Sequence, residues 1–396
     1  MTPSAKYLGV MAGTAAVLLA LILGLNLLLG ARALGGPEVT QLASEWQQQS
    51  RGVTYAPPIT RTRPFKSLRL AERIEDINAI VLGSSTNMGI TASMFPSPLQ
   101  AYNFTSTANP TSSLVGEAEY LLAKHGDRLR FMLVGLDWSI GMIYHTTPVT
   151  AADLSPHTAL SAESHPPVAL HRRIADALSY PKVLALLKAL RADLRAGDPV
   201  DAFRRTFFDV ASAPYPCADG DTARDFDVIN RGICRGFRYD GSWTYGGDRR
   251  LTPARAAVLA QAAAAPSSKF SKYLCETGGE PNSEYLARFG KAAKDFAARG
   301  GRMVFLMPPI IPGMEAAMGG HEPNRICLER TKAVIGQWAR QNAITVIDAG
   351  RSERYGCEAA DFSDEHHAYP QCLGRVLASY FRAEREGRMQ YGLFQP

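Results

Sequence analysis

Four short apolar runs constrain this chain more than any other feature: Ala79–Leu82, Phe131–Leu136, Met303–Met307 and Ile344–Ile347. They are nearly continuous rather than alternating, so each suits a strand covered on both faces, as in parallel sheets. Helical patterns lie between or after them, at Leu114–His125, Ser283–Arg299, Arg325–Gln341 and Pro370–Arg385. Gly300-Gly301 follows the second of these, where a helix stop is expected. Strands alternating with helices predict an α/β sandwich with its site at the carboxyl ends of the strands. The apolar content of 46% supplies ample core for such a fold.

The N-terminus adds a different constraint. No charge occurs from Tyr7 to Ala31, between Lys6 and Arg32. At about 1.5 Å per residue, a helix of that length crosses a hydrocarbon core of about 30 Å. Signal-peptide apolar regions run only about 7–15 residues, so residues 1–34 are expected to be an uncleaved anchor. A cleaved signal peptide is the alternative, since Ala31-Arg32-Ala33 offers an A-x-A site. Lys6 and the amino terminus would stay in the cytoplasm under the positive-inside tendency.

All six cysteines (Cys217, Cys234, Cys275, Cys327, Cys357 and Cys372) lie beyond the anchor. An even number in an exported domain predicts disulfides. Short loops suggest Cys217–Cys234 and Cys357–Cys372, which leaves Cys275–Cys327. No C-x-x-C pair supports a zinc site. The formal charge of +6 is spread without a basic run, so nucleic acid is not an expected partner.

Residues 35–72 read as a stalk, on the strength of Gly35-Gly36-Pro37, the polar Trp46-Gln47-Gln48-Gln49 and Pro57-Pro58. The main domain then covers 73–396. Its rhythm breaks between about 145 and 275, a segment read as an insertion beside the site. Within it, His171–Ala196 should be helical, and Thr252-Pro253 caps a helix through Ala265.

The chemistry concentrates at two places. Gly83-Ser84-Ser85-Thr86-Asn87 follows the first strand, and small residues there let the backbone turn and expose Ser85. Asp361-Phe362-Ser363-Asp364-Glu365-His366-His367 precedes the last helix. A nucleophilic serine needs a histidine base held in one tautomer by a carboxylate. The spacing favours His367 as base and Asp364 as its partner, with His366 as the alternative base and Asp361 competing for the acid. A metal cluster of Asp361, Asp364, His366 and His367 lacks the i, i+4 histidines of a helical zinc site. No metal and no cofactor are expected.

Ile80-Val81-Leu82-Gly83-Ser84-Ser85 and Asp364-x-x-His367 resemble the first and last blocks of the SGNH (GDSL-type) hydrolase superfamily. The resemblance covers roughly 76–145 and 280–396. It implies a flavodoxin-like three-layer α/β/α sandwich with a mostly parallel sheet. With the anchor, the chain is most similar to exported branches such as alginate O-acetyltransferase-like and D-alanyl-transfer proteins. The family draws oxyanion donors from a glycine in its second block and an asparagine in its third. Here those regions read Tyr102-Asn103-Phe104-Thr105-Ser106-Thr107-Ala108-Asn109-Pro110 and Gly135-Leu136-Asp137-Trp138. An ionised Asp137 cannot donate, so a structural or substrate role is expected for it and a donor role for Asn109 or the Ser85 backbone. Trp243 and Tyr245 are candidates for stacking on sugar faces.

The expected function is O-acyl transfer to, or removal from, a cell-envelope polysaccharide, with O-acetyl the group the resemblance implies. The partners would be the glycan, the inner membrane and a membrane-embedded acyl donor protein, with the folded domain in the periplasm. The alternative is a catalytically weak or inactive module that binds envelope glycan or a membrane acyltransferase.

Overall fold

The computed structural model describes residues 3–29, 37–55, 62–107, 109, 111–137, 180–207, 212–226, 232, 234–244 and 250–396. The chain divides into two compact units, residues 1–65 with 156–239 and residues 66–155 with 240–396.

The second unit is mixed α/β. Its strands are β1 (Ala79–Leu82), β2 (Ala101–Asn103), β3 (Phe131–Gly135), β4 (Arg302–Met307), β5 (Thr345–Asp348) and β6 (Gly392–Phe394). They form one sheet in the order β6-β5-β4-β3-β1-β2. Every neighbouring pair is parallel, with Ile80 opposite Met132, Val134 opposite Phe305 and Leu306 opposite Ile347. β1 and β3 are buried along their whole length, as their unbroken apolar runs require. Phe305 on β4 anchors the helices above it, meeting Phe289 and Trp338 edge-on at centroid distances of 5.2 and 5.0 Å.

The chain leaves β1 for the edge strand β2, then returns past β1 to β3 and continues the other way. The carboxyl ends of β1 and β3 therefore flank a topological switch point, where open α/β sheets place their sites. Gly83 follows β1 and Gly135 ends β3. A Cβ at either would crowd the Asn87 side-chain amide, so glycine at both positions lets Asn87 pack against the two strand ends.

The expected helices form as Thr111–His125, Pro253–Ala264, Ser283–Ala297, Glu322–Gln341 and Pro370–Arg385. Thr252 caps the second, its hydroxyl accepting from the Arg255 N–H at 3.3 Å. The expected insertion of 145–275 is divided differently. Residues 240–275 belong to the second unit, where Ala256, Ala260, Phe270 and Leu274 join the core cluster.

In the first unit, helix Pro3–Leu29 contains the stretch Ala5–Gly24, long and apolar enough to cross a membrane. A signal sequence has the same character. Residues 35–72 are not a bare spacer. They hold helix Pro37–Ser50, strand Val53–Tyr55 and helix Thr62–Arg73. The first of these helices buries Thr40, Ala43, Ser44 and Gln47, a stripe at i, i+3, i+4 and i+7 built from small and polar residues. Gln47 is satisfied by donating to the Gly52 and Phe237 carbonyls at 3.0 and 2.8 Å. Short strands pair around Val53–Tyr55, parallel to Thr222–Asp225 and antiparallel to Gly236–Phe237. Helix Tyr180–Ala196 lies within the expected helical stretch. Residues 171–179 are outside the described residues.

Three disulfides form, Cys217–Cys234, Cys275–Cys327 and Cys357–Cys372. The first and third are the pairs that short loops suggested, and Cys275–Cys327 is the pair that these leave.

Candidate active site

Gly83 follows β1, and Ser84 caps the single 3-10 turn Ser85–Asn87. The Ser84 carbonyl accepts from the Asn87 N–H at 3.1 Å. Its hydroxyl donates to Asp137 Oδ2 at 2.8 Å, tying the turn to the residue range just beyond β3. Ser85 is thus held on a braced turn at the switch point.

The histidine arrives on a tightly tied loop. Phe362 bridges to Ala368, the Ser363 N–H donates to the His367 carbonyl at 3.1 Å, and the Tyr369 N–H donates to the Asp361 carbonyl at 2.7 Å. The Asp361 carboxylate accepts from the Glu358 N–H at 2.8 Å and from Arg375 at 2.5 Å. Asp361 is therefore a structural brace. The disulfide Cys357–Cys372 closes the same segment.

On this loop, Asp364 Oδ1 accepts the backbone N–H groups of His366 and His367 at 2.9 and 2.8 Å. With its Nδ1 protonated, His367 donates to Asp364 Oδ2 at 2.7 Å, and its Nε2 accepts the Ser85 hydroxyl at 2.9 Å. Burial works to raise the Asp364 pKa. The hydrogen bond from His367, the charges of His367 and His366 and the His366 N–H outweigh it, and hold the carboxyl well below the usual range. The His367 side chain is 23% exposed, so the relay is open to a substrate. A serine, a base and an orienting carboxylate in this order can carry out nucleophilic acyl transfer.

His366 takes another place. Its ring lies 4.1 Å from that of His367 and meets Phe270 edge-on at 5.3 Å. Burial opposes its charged form, but Glu365, Asp364 and Asp137 together raise its pKa. It is His367 that reaches Ser85. Among the described residues, Asp364, His366 and His367 bring ligand atoms within 4.8 Å of one another, close enough for a metal ion. Both His367 nitrogens are engaged in the relay, however, and a metal there would replace it.

The remaining expected residues sit differently. Asn109 is buried, and its amide donates to Glu117 at 3.0 Å and to the Gly83 carbonyl at 3.4 Å. Those two contacts occupy both of its N–H bonds. Asn109 thus steadies the backbone before the nucleophile in place of the expected donor role. Asp137 is fully buried and its Oδ2 accepts from the Ser84 hydroxyl. Trp243 is 7% exposed and packs in the interior, so its ring lacks the open face that sugar stacking needs. Tyr245 lies outside the described residues. The Ser85 N–H has no acceptor among the described residues, which leaves it available to an oxyanion.

Ser84, Glu117 and Phe270 were not singled out by sequence. Only Ser84 carried a signal, as the N-cap-type residue before the turn. Glu117 and Phe270 come from distant segments with no local mark. No family model matches the chain, and a search of curated proteins finds no match.

Proposed function

We propose that this protein is a membrane-anchored, exported SGNH-like acyltransferase or esterase acting on a cell-envelope polysaccharide. The reading rests on one observation, the relay from Ser85 through His367 to Asp364, with contacts of 2.9 and 2.7 Å. Two further features support it. The strand order, read from the edge as 2-1-3-4-5-6, is that of flavodoxin-like sheets extended by one strand. The apolar N-terminal helix and three disulfides suit a single-pass inner-membrane protein with its domain in the periplasm.

In the proposed path, His367 takes the Ser85 proton as Oγ attacks the acyl carbonyl, and Asp364 steadies the imidazolium. The Ser85 N–H faces the developing oxyanion. His367 then returns the proton to the departing alcohol as its bond to the acyl carbon breaks. A sugar hydroxyl or water, deprotonated in turn by His367, takes the acyl group, and His367 passes that proton to Ser85 Oγ as its bond to the acyl carbon breaks. A membrane-embedded protein would supply the acyl donor.

A second reading, a glycan-binding module with little or no turnover, is favoured by Asn109, whose amide is already committed to Glu117 and Gly83. The test uses full-length protein in lipid nanodiscs and p-nitrophenyl acetate. Ser85→Ala and His367→Ala should each lower turnover by about four orders of magnitude or more. Turnover that survives Ser85→Ala refutes the nucleophile. A folded wild type without turnover favours the binding module.

A further inference from the structure

We propose that Asp364, His366 and His367 form a binding site for a zinc ion, and that the bound ion switches the relay off. The binding stands without the acyl-transfer reading above; the loss of turnover rests on it. Among the described residues, these three each bring a ligand atom within 4.8 Å of the others. His366 carries the observation that points to a ligand. Its Nδ1 is buried without a hydrogen-bond partner, 3.5 Å from Asp364 Oδ1 and 3.6 Å from Glu365 Oε1. A buried ring nitrogen left so is costly, and coordination would satisfy it.

The spacing suits the ion. Ligand bonds of about 2.0–2.1 Å to a tetrahedral zinc set neighbouring ligand atoms roughly 3.4 Å apart. The 3.5 Å between His366 Nδ1 and the Asp364 carboxylate matches that edge. His367 Nδ1 and Asp364 Oδ2 are 2.7 Å apart across a shared proton, and part by roughly 0.7 Å when a metal takes the proton's place. Asp364 Oδ1 meanwhile accepts from the His366 and His367 N–H groups, which aims the carboxylate. The side chains of His366, His367 and Asp364 are 17%, 23% and 38% exposed, so an ion can reach them from solvent.

The donors select the metal. Two neutral imidazoles and a carboxylate suit zinc, whereas magnesium and calcium take oxygen ligands. The carboxylates of Asp364, Glu365 and Asp137 surround His366 with negative charge, which favours a cation. All six cysteines are held in disulfides and do not compete. A metal on His367 Nδ1 moves the imidazole proton to Nε2, which then donates and cannot accept the Ser85 hydroxyl. Removing the metal returns the proton to Nδ1 and restores the base.

The test uses tag-free full-length protein in phosphatidylcholine nanodiscs, stripped of metal with EDTA and desalted, with empty nanodiscs as the blank. Zinc is titrated calorimetrically, and X-ray absorption at one equivalent reads its ligands. The expected set is two imidazole nitrogens with oxygen at about 2.0–2.2 Å and no sulfur. Turnover of p-nitrophenyl acetate should fall in step with zinc occupancy, return with EDTA, and be unaffected by magnesium or calcium. In His366→Gln, shown to be folded by near-ultraviolet circular dichroism, the Kd for zinc should rise roughly tenfold or more, since losing even an outer-shell partner costs about 10–100-fold. The half-inhibitory zinc concentration, read against the variant's own metal-free rate, should rise in parallel. No zinc binding, a ligand set without two imidazoles, or equally tight binding by His366→Gln overturns the site. Zinc bound there with turnover intact overturns the switch. Where the metal-free wild type turns over no ester, the acyl-transfer reading fails, and calorimetry with the absorption spectrum decides the site.

Discussion

Asp364 has two tasks that a single substitution separates. Oδ1 holds the loop through two backbone N–H groups, and Oδ2 holds the His367 tautomer. In Asp364→Asn, the amide oxygen can keep the backbone contacts, which turns Nδ2 toward His367 Nδ1. Two donors then face each other, and His367 shifts to the tautomer that cannot accept from Ser85. The expected result is a fall in kcat of about 10⁴-fold with an unchanged near-ultraviolet circular dichroism spectrum. The same loop predicts opposite pH dependences for two neighbours. The folded-state pKa of Asp364 is depressed, so its stabilisation is complete above the ordinary aspartate value of about 3.9 and is lost as pH falls further. The pKa of His366 is raised, so its stabilisation is complete below about pH 6.5 and is lost as pH rises through the folded value. Urea denaturation across pH should show the advantage of wild type over His366→Gln shrinking toward alkaline pH. Its advantage over Asp364→Asn should shrink toward acid. A gap for His366→Gln that widens with pH would contradict the charge assignment.

At the scale of elements, the disulfide Cys357–Cys372 encloses the segment that carries Asp364 and His367, with a sequence separation of 15. A cross-link closing a loop of that length stabilises by about 3 kcal/mol. The Cys357→Ser/Cys372→Ser variant should lose about that much stability, and its kcat should fall, because the loop that carries Asp364 and His367 is loosened. Unchanged kcat in the folded double variant would mean that the Asp361–Arg375 pair and the Phe362–Ala368 bridge hold the loop unaided. The elements that were legible in sequence share a cause. β1, β3, β4 and β5 are central strands whose unbroken apolar runs report burial on both faces. The edge strands β2 and β6 have three residues each, too few to show a period, and were missed. Helix Pro37–Ser50 escaped because its buried stripe uses Thr, Ser and Gln, whose burial depends on hydrogen bonds rather than on apolar character. Ser85, Asp364 and His367 could be picked out because their roles fix their spacing around a strand end and a final helix. The contacts of Asn109 with Glu117, and of His366 with Phe270, arise from tertiary packing, which no local pattern encodes.

At the scale of the molecule, the disulfides are distributed across both units, with Cys217–Cys234 in the first and the other two in the second. Disulfides in both units suit an oxidising compartment, and Ala5–Gly24 is long enough to cross a membrane. That leaves open whether the helix stays attached. Its apolar stretch is longer than the roughly 7–15 residues of a signal-peptide core, and on that ground we predict a retained helix. The expected outcome is that the protein sediments with membranes, resists extraction by alkaline carbonate, and has the intact mass of the full chain. Its six cysteines should resist a maleimide reagent until a reductant is added, in both units alike. A soluble product that has lost the segment up to Ala33 would make the helix a signal sequence and the remaining protein a free one. The acyl group would then have to arrive on a soluble donor, because a domain released from the bilayer has no fixed position beside a membrane-embedded one. The mass measurement therefore decides between two routes of acyl supply as well as between two fates of the helix.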